Sequence, residues 1–174
     1  MSRIHGFPPI ARPDSKTLIL GSMPSRESLA KQQYYAHSRN ALWPILCSLY
    51  SITATQYEER SKQVADRGIA IWDVLRDCVR PGSLDSDIDE KTAATNDFQA
   101  FLREHTQISR IFFNGTKAES IYLKRVLPAL DGQAARILHR RLPSTSPAHA
   151  GMNFEQKRAA WQTILQRGQC TALQ

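Results

Sequence analysis

Two stretches of the chain join an apolar, strand-like run to a proline-stiffened turn that carries serines. The first is Leu18-Ile19-Leu20 followed by Gly21-Ser22-Met23-Pro24-Ser25; the second runs from Ile137 to Leu142 and then Pro143-Ser144-Thr145-Ser146-Pro147. Hydroxyls and backbone N–H groups fixed in such turns suit phosphate oxygens, which they hold without reading sequence. His139, Arg140, Arg141 and His149 flank the second turn and place positive charge beside it. Two more strand-like runs end on Asp73 and on Asn114-Gly115. An asparagine amide offers one donor group and one acceptor, whereas an ionised aspartate only accepts. Taken singly, each feature has a plainer account. Gly21 and Gly115 serve tight turns, Ser144 caps a turn, Asn114 caps a helix, and Asp73 pairs with Arg76 or Arg80. Four polar strand ends together are better explained by a site.

The elements that must position these residues follow from the apolar pattern. Strands are expected at Thr17–Leu20, Ile69–Val74, Ile108–Phe113 and Arg136–Leu142, with helical segments between them. Such alternation implies a parallel sheet with helices on both faces, a three-layer α/β/α fold with four central strands. Ligands then bind outside the carboxyl ends of the strands, where the polar residues lie. Residues 1–16 read as an irregular arm broken by Pro8, Pro9 and Pro13. Residues 22–40 form a connection too long for a plain turn, hence functional or partly helical. A helix then carries Leu42, Ile45, Leu46 and Leu49, and Pro44 confines its start, so Asn40 sits at or just before the N-terminus. Capping boxes are expected at Thr55–Glu58 and Thr116–Glu119, and Asn96 as the cap of a helix bearing Phe98, Phe101, Leu102 and His105. Residues 76–95 read as a polar surface loop, Asn153–Leu165 as a last helix, and 166–174 as a frayed tail.

The totals limit the possibilities. The 174 residues suit one domain, and 41% hydrophobic with 22% charged residues is ordinary for a globular protein. No apolar run reaches membrane-spanning length and the N-terminus lacks a signal-peptide core, so a cytoplasmic protein is expected. Cys47, Cys78 and Cys170 lie far apart without a Cys-x-x-Cys pair, and no His-Glu-x-x-His occurs. No metal, iron–sulfur cluster or other cofactor is therefore expected. The net charge of +7 favours polyanionic partners, a weak signal by itself.

In their order and spacing these stretches resemble the uracil-DNA glycosylase superfamily over roughly residues 15–165. The strand-Gly-x-x-Pro and strand-x-Pro-Ser-x-Ser loops are similar to its two signature loops, and Gly68–Asp73 to the strand whose end meets the flipped base. Gly21–Ser25, Tyr34-Tyr35, Asn40-Ala41-Leu42-Trp43 and Leu142–Ala148 resemble the hypoxanthine-DNA glycosylase branch. The resemblance implies a monomeric, monofunctional glycosylase of base-excision repair, acting on DNA with deaminated bases. Hypoxanthine comes first, with uracil and xanthine as further candidates. It also implies catalytic roles for Asn40 and Asn114. Met23 stands where the uracil-specific branch has an acid, Leu142 where it has a histidine, and Asp73 where it has an asparagine.

The implied reaction takes a base out of the helix and breaks its N-glycosidic bond. Asn40 would hold water or a sugar oxygen through its carbonyl while its amide contacts base or backbone, and Asn114 would face a lactam edge. Gly21, Ser22, Met23, Pro24, Tyr35 and Asp73 would form the base pocket, with Tyr34 or Tyr35 stacking. Ser25, Ser144, Thr145, Ser146, Arg140, Arg141 and His149 would meet the DNA. No lysine stands in the motifs to form a Schiff base. Two other readings stay open. One is an inactive nucleic-acid binder, because Met23 and Leu142 lack the familiar groups. The other is a serine hydrolase, though Ser22 and Ser144 lack the Gly-x-Ser-x-Gly setting.

Overall fold

The computed structural model of the chain describes residues 3–166. In chain order the elements are β1 (Arg3–His5), β2 (Thr17–Gly21), α1 (Arg26–Lys31), α2 (Leu42–Tyr50), α3 (Tyr57–Asp66), β3 (Ile69–Asp73), β4 (Leu75–Val79), β5 (Asp89–Thr95), α4 (Phe98–Glu104), β6 (Arg110–Asn114), α5 (Thr116–Ile121), β7 (Leu138–Leu142) and α6 (Phe154–Trp161). The expected α/β fold is present: β3-β2-β6-β7 form a four-stranded parallel sheet. Every residue of β2 and β3 is buried, as in a sheet covered on both faces. On one face Trp72 meets Phe98 and Phe101, and Phe113 meets Tyr122. Elsewhere α2 packs against both α3 and α6 through Leu42, Trp43, Ile45 and Leu46. The edge strand β7 is exposed and basic over Leu138–Arg141, and its charge discourages pairing with another chain.

Register decides where the site lies. Gly21 is level with Asp73, Leu20 with Phe113, and Asn114 with Leu142. The polar strand ends therefore share one rim of the sheet. The first loop is held there as an extension of the pairing, because the Val74 N–H donates to Gly21 O at 2.8 Å and the Leu75 N–H to Ser22 O at 3.1 Å.

Several local expectations are corrected. Residues 76–95 are largely strand, not loop. β4 and β5 join β1 in a second, antiparallel sheet of order β1-β4-β5. Its polar residues misled the reading because this sheet buries one side at a time. Asp77 is buried within it and is held by Arg3 at 2.6 Å and Arg76 at 2.8 Å. Only the segment between β4 and β5 stays irregular, with a single turn of tight helix at Asp85–Asp87. The N-terminal arm is not irregular throughout either: β1 pairs with β4, and Ile10 exchanges backbone hydrogen bonds with Ile71 at 2.9 and 2.8 Å.

Both expected capping boxes are absent. α3 starts after Gln56 and α5 after Gly115, neither with a side-chain cap. Gly115 has φ +94, and a Cβ there would sit 3.0 Å from the Ser144 side chain. The cap of α4 is Asp97, not Asn96, whose amide instead donates to Asp73 O at 2.8 Å. Asn153 and Gln156 do form a reciprocal box on α6. Cys47 and Cys78 are unpaired, and burial pushes both thiols up. Cys170 and all of the expected tail but Gln166 lie outside the described residues.

Candidate active site

A cavity of about 670 Å³ opens at the shared rim of the strands. Gly21, Ser22, Met23, Pro24 and Ser25 form one wall; Ser144, Thr145, Ser146 and His149 form the other; Tyr35, Asn40, Asp73 and Asn114 lie between. The fold thus gathers both turns, the long connection and two strand ends around one space. Arg140 and Arg141 are not gathered with them. Arg140 bonds Thr163 at 3.2 Å and Arg141 bonds Glu119 at 3.0 Å, and neither lines the cavity.

Asn40 reaches the cavity from the turn before α2. Its Oδ1 accepts the N–H of Leu42, the first residue of α2, at 3.0 Å, although the cap position itself is Ala41. The amide N–H groups and one Oδ1 lone pair are left for a ligand. The chain here is tied to the second loop, because the Ala41 N–H donates to Thr145 O at 3.0 Å.

Asn114 is used differently from the expectation. Its Oδ1 accepts the Thr145 N–H at 2.8 Å, and its Nδ2 donates to Thr145 Oγ1 at 2.7 Å. One residue thus takes one N–H and one lone pair of the amide, and one of each is left over. Thr145, expected at the phosphates, is 1% exposed and acts as the knot joining β6, the second loop and the segment that carries Asn40. Helix α6 supports that loop from behind. The Trp161 indole donates to Pro143 O at 2.9 Å and the buried Lys157 ammonium to Ser146 O at 3.1 Å. Burial lowers the Lys157 pKa from its usual value.

The serines are mostly occupied within their loops. Ser25 Oγ accepts the Ser28 N–H at 3.1 Å and caps α1, Ser144 Oγ accepts the Ser146 N–H at 3.2 Å, and Ser146 Oγ accepts the Ala148 N–H at 3.2 Å. Ser22 is buried and donates to Asp85 at 2.5 Å. Neither Ser22 nor Ser144 bonds a histidine among the described residues, so no hydrolase-type nucleophile is set up.

The two tyrosines divide the roles open to them. Tyr34 is core: its hydroxyl donates toward Phe7 O and Pro8 O, and its carbonyl accepts the Trp43 indole at 2.8 Å. Tyr35 has φ +54, a left-handed conformation uncommon for a bulky residue. That turn brings its hydroxyl down to Gly21, buried and without a hydrogen-bond partner among the described residues. Burial, and next Asp73, push its pKa up. The Asn114 amide, whose second N–H is not used by Thr145, pulls the other way.

Asp73 pairs with neither arginine proposed for it. Arg76 bonds Asp77, and Arg80 bonds Pro24 O at 2.5 Å and Gly82 O at 3.1 Å. Burial, with the Asp85 carboxylate next, raises the Asp73 carboxyl to about 7 against the pull of Arg80. The sequence did not point to Asp85, His37 and Arg39 here, and offered Arg80 only as a direct partner of Asp73. Asp85, His37 and Arg39 line the cavity, while Arg80 is buried beneath the first loop. The strong acidity of Asp85-Ser86-Asp87 was visible, but nothing in the sequence placed it over Ser22. Among the described residues no group of three or more His, Cys, Asp or Glu side chains could hold a metal ion, and no helix is long and apolar enough to cross a membrane.

Comparison with known proteins adds an independent line. The family model of the uracil DNA glycosylase superfamily matches residues 8–166. A curated Methanosarcina acetivorans protein named hypoxanthine DNA glycosylase is 33% identical over 147 residues, covering 79% of this chain and 92% of that one. A protein of the same name from Methanosarcina barkeri is 32% identical over 116 residues, covering 66% and 72%. A solution NMR structure of a candidate uracil DNA glycosylase from Methanosarcina acetivorans superimposes with a TM-score of 0.73 at 29% identity, covering 95% of this chain and all of that one.

Proposed function

Because this chain belongs to the uracil DNA glycosylase superfamily, we propose that it is a monofunctional DNA glycosylase that removes hypoxanthine from DNA, with uracil and xanthine as secondary substrates. The observation that carries this reading is the cavity at the strand ends, where Asn40 and Asp73 lie between the two Pro-Ser loops. The names of the two curated relatives favour hypoxanthine.

A base inside a duplex is out of reach, so the substrate is the flipped nucleotide. The C1′–N bond breaks with its electron pair going to the base, water adds its oxygen to C1′, and the water's surplus proton is released. No acid stands at Met23 to orient that water, and Met23 is itself buried. Asn40 takes the positioning part: its Oδ1, fixed by the Leu42 N–H, keeps a second lone pair that can hold the water, and its N–H groups can donate to the base or backbone. Fixed dipoles of this kind act by placement and by stabilising developing charge. Asn114 serves the site by holding Thr145, and so by fixing the second loop. His37, Arg39 and His149 give the rim basic groups for the phosphates. In this reading one chain acts alone, in the cytoplasm, on DNA with deaminated bases, without metal or other cofactor.

The test is a panel of labelled duplexes carrying deoxyinosine, deoxyuridine or deoxyxanthosine, followed by hot alkali. Cleavage at the abasic site, strongest with deoxyinosine, is expected. Intact strands throughout at high enzyme excess would refute the assignment and favour the inactive binder.

A further inference from the structure

Two polar groups on the cavity wall have no partner. Asp73 is 3% exposed and its Oδ2 makes no hydrogen bond, and the buried Tyr35 hydroxyl makes none either, among the described residues. They converge at Gly21. A Cβ built there would overlap Asp73 Oδ1 and lie 2.7 Å from the Tyr35 oxygen. Buried polar groups are nearly always bonded, since leaving one unmade costs about 1–3 kcal/mol. Two such exceptions meeting at one residue of a cavity wall mark a place where the polar edge of a ligand completes the set. Asn114 spends one N–H and one carbonyl lone pair on Thr145, so its amide alone does not complete the set.

The missing edge can be read from the groups that await it. Hypoxanthine, xanthine and uracil each carry a lactam, an N–H donor beside a carbonyl acceptor. A carboxylate offers acceptors only and would repel the carbonyl, whereas a neutral carboxylic acid offers O–H beside C=O, the complement of the lactam. We propose that Asp73 acts as a neutral carboxylic acid which, with the Tyr35 hydroxyl, binds the lactam edge of the flipped base, and that its O–H bond to the base carbonyl tightens as charge moves onto the leaving base. This rests on the glycosylase reading above. No atom is transferred: Asp73 keeps its proton throughout.

The surroundings favour the neutral form. From the β4–β5 segment, Asp85 raises the Asp73 carboxyl after burial has done so, and Arg80 opposes both, leaving it at about 7. Arg80 is nearly buried, bonds Pro24 and Gly82 through Nε and Nη2, leaves Nη1 without a partner among the described residues, and acts on Asp73 only through space. From the connection after α1, Tyr34 and Tyr35 face Asp73, and burial keeps both hydroxyls protonated. On the β6 side Asn114 is uncharged. A carboxyl kept neutral in this way can donate to a developing oxyanion, and a bond that is stronger in the transition state than in the ground state raises kcat.

Single-turnover excision of hypoxanthine, measured from about pH 5.5 to about pH 9, tests the assignment. The wild-type rate should fall toward tenfold per pH unit above about 7, as Asp73 ionises. Asp73→Asn keeps the donor and acceptor but cannot titrate. It should be slower by about tenfold below neutrality, flat above it, and level with the wild type about one unit higher. Asp73→Leu should lose about a hundredfold at every pH, with DNA affinity little changed. If Asp73→Leu does not fold, Asp73→Asn still decides. An active wild type whose alkaline fall persists in Asp73→Asn, or which shows no fall, overturns the role of Asp73 and leaves the glycosylase standing. A wild type that excises no lactam base overturns both.

Discussion

At the scale of single residues the site depends on close approach. Gly21 lies where Asp73 and Tyr35 come nearest the backbone, and any side chain there would collide with both. Gly21→Ala is therefore expected to cost about 1–3 kcal/mol of stability through overpacking. It should slow excision more than it weakens DNA binding, because the displaced groups are the ones proposed to meet the base. Thermal melting and single-turnover rates on one preparation check this, and an unchanged rate would contradict it. The identity of Gly21 was legible as a strand-ending glycine. The reason for it was not, since Asp73 lies 52 positions away and Tyr35 arrives only through its left-handed turn. The same holds for Asn114. Its residue type suggested a base reader, but nothing in the type showed that Thr145, placed beside it by the β6–β7 register, also takes one N–H and one lone pair of its amide.

At the scale of elements, β2, β3 and β6 were readable because they are buried and carry near-continuous apolar runs, and the exposed edge strand β7 because its run leads into the Pro-Ser turn. β4 and β5 were not, because a small sheet buried on one side mixes Arg76 and Asp77 with its apolar residues. The capping boxes failed for a local reason: a matching pair of side chains states an opportunity, and the cap of α3 falls on Gln56, one residue after Thr55, while that of α5 falls on Gly115, one residue before Thr116. The second loop is held by elements on three sides: β6 through Asn114, the start of α2 through Ala41, and α6 through Trp161 and Lys157. Thr145 is the shared member. Thr145→Val keeps the shape but leaves the Asn114 N–H unpaired, and should cost about 1–3 kcal/mol in urea unfolding and lower the excision rate. Thr145→Ser keeps the hydroxyl and should stay near wild type in both. Equal losses for the two would show that the methyl group, not the hydrogen bond, matters.

At the scale of the whole molecule, the charge of +7 gives a long-range pull toward DNA, and the cavity rim decides where it is used. On duplex DNA each neutralised phosphate adds about −0.9 to the slope of log affinity against log salt. Arg39, exposed at the rim, should reduce that slope by about 1 when changed to alanine. Arg141, paired with Glu119 away from the cavity, should leave it unaltered. Titrations across salt concentrations separate the two, and a larger change from Arg141 would move the DNA path onto β7. The central claim is that this cavity excises hypoxanthine by positioning, through Asn40, with no acid at Met23. Its most direct test compares wild type and Asn40→Ala on one deoxyinosine duplex, measuring single-turnover excision and DNA affinity together. A rate lower by about 10²–10³ with affinity within a few fold is the predicted result. Excision by Asn40→Ala at the wild-type rate would contradict it.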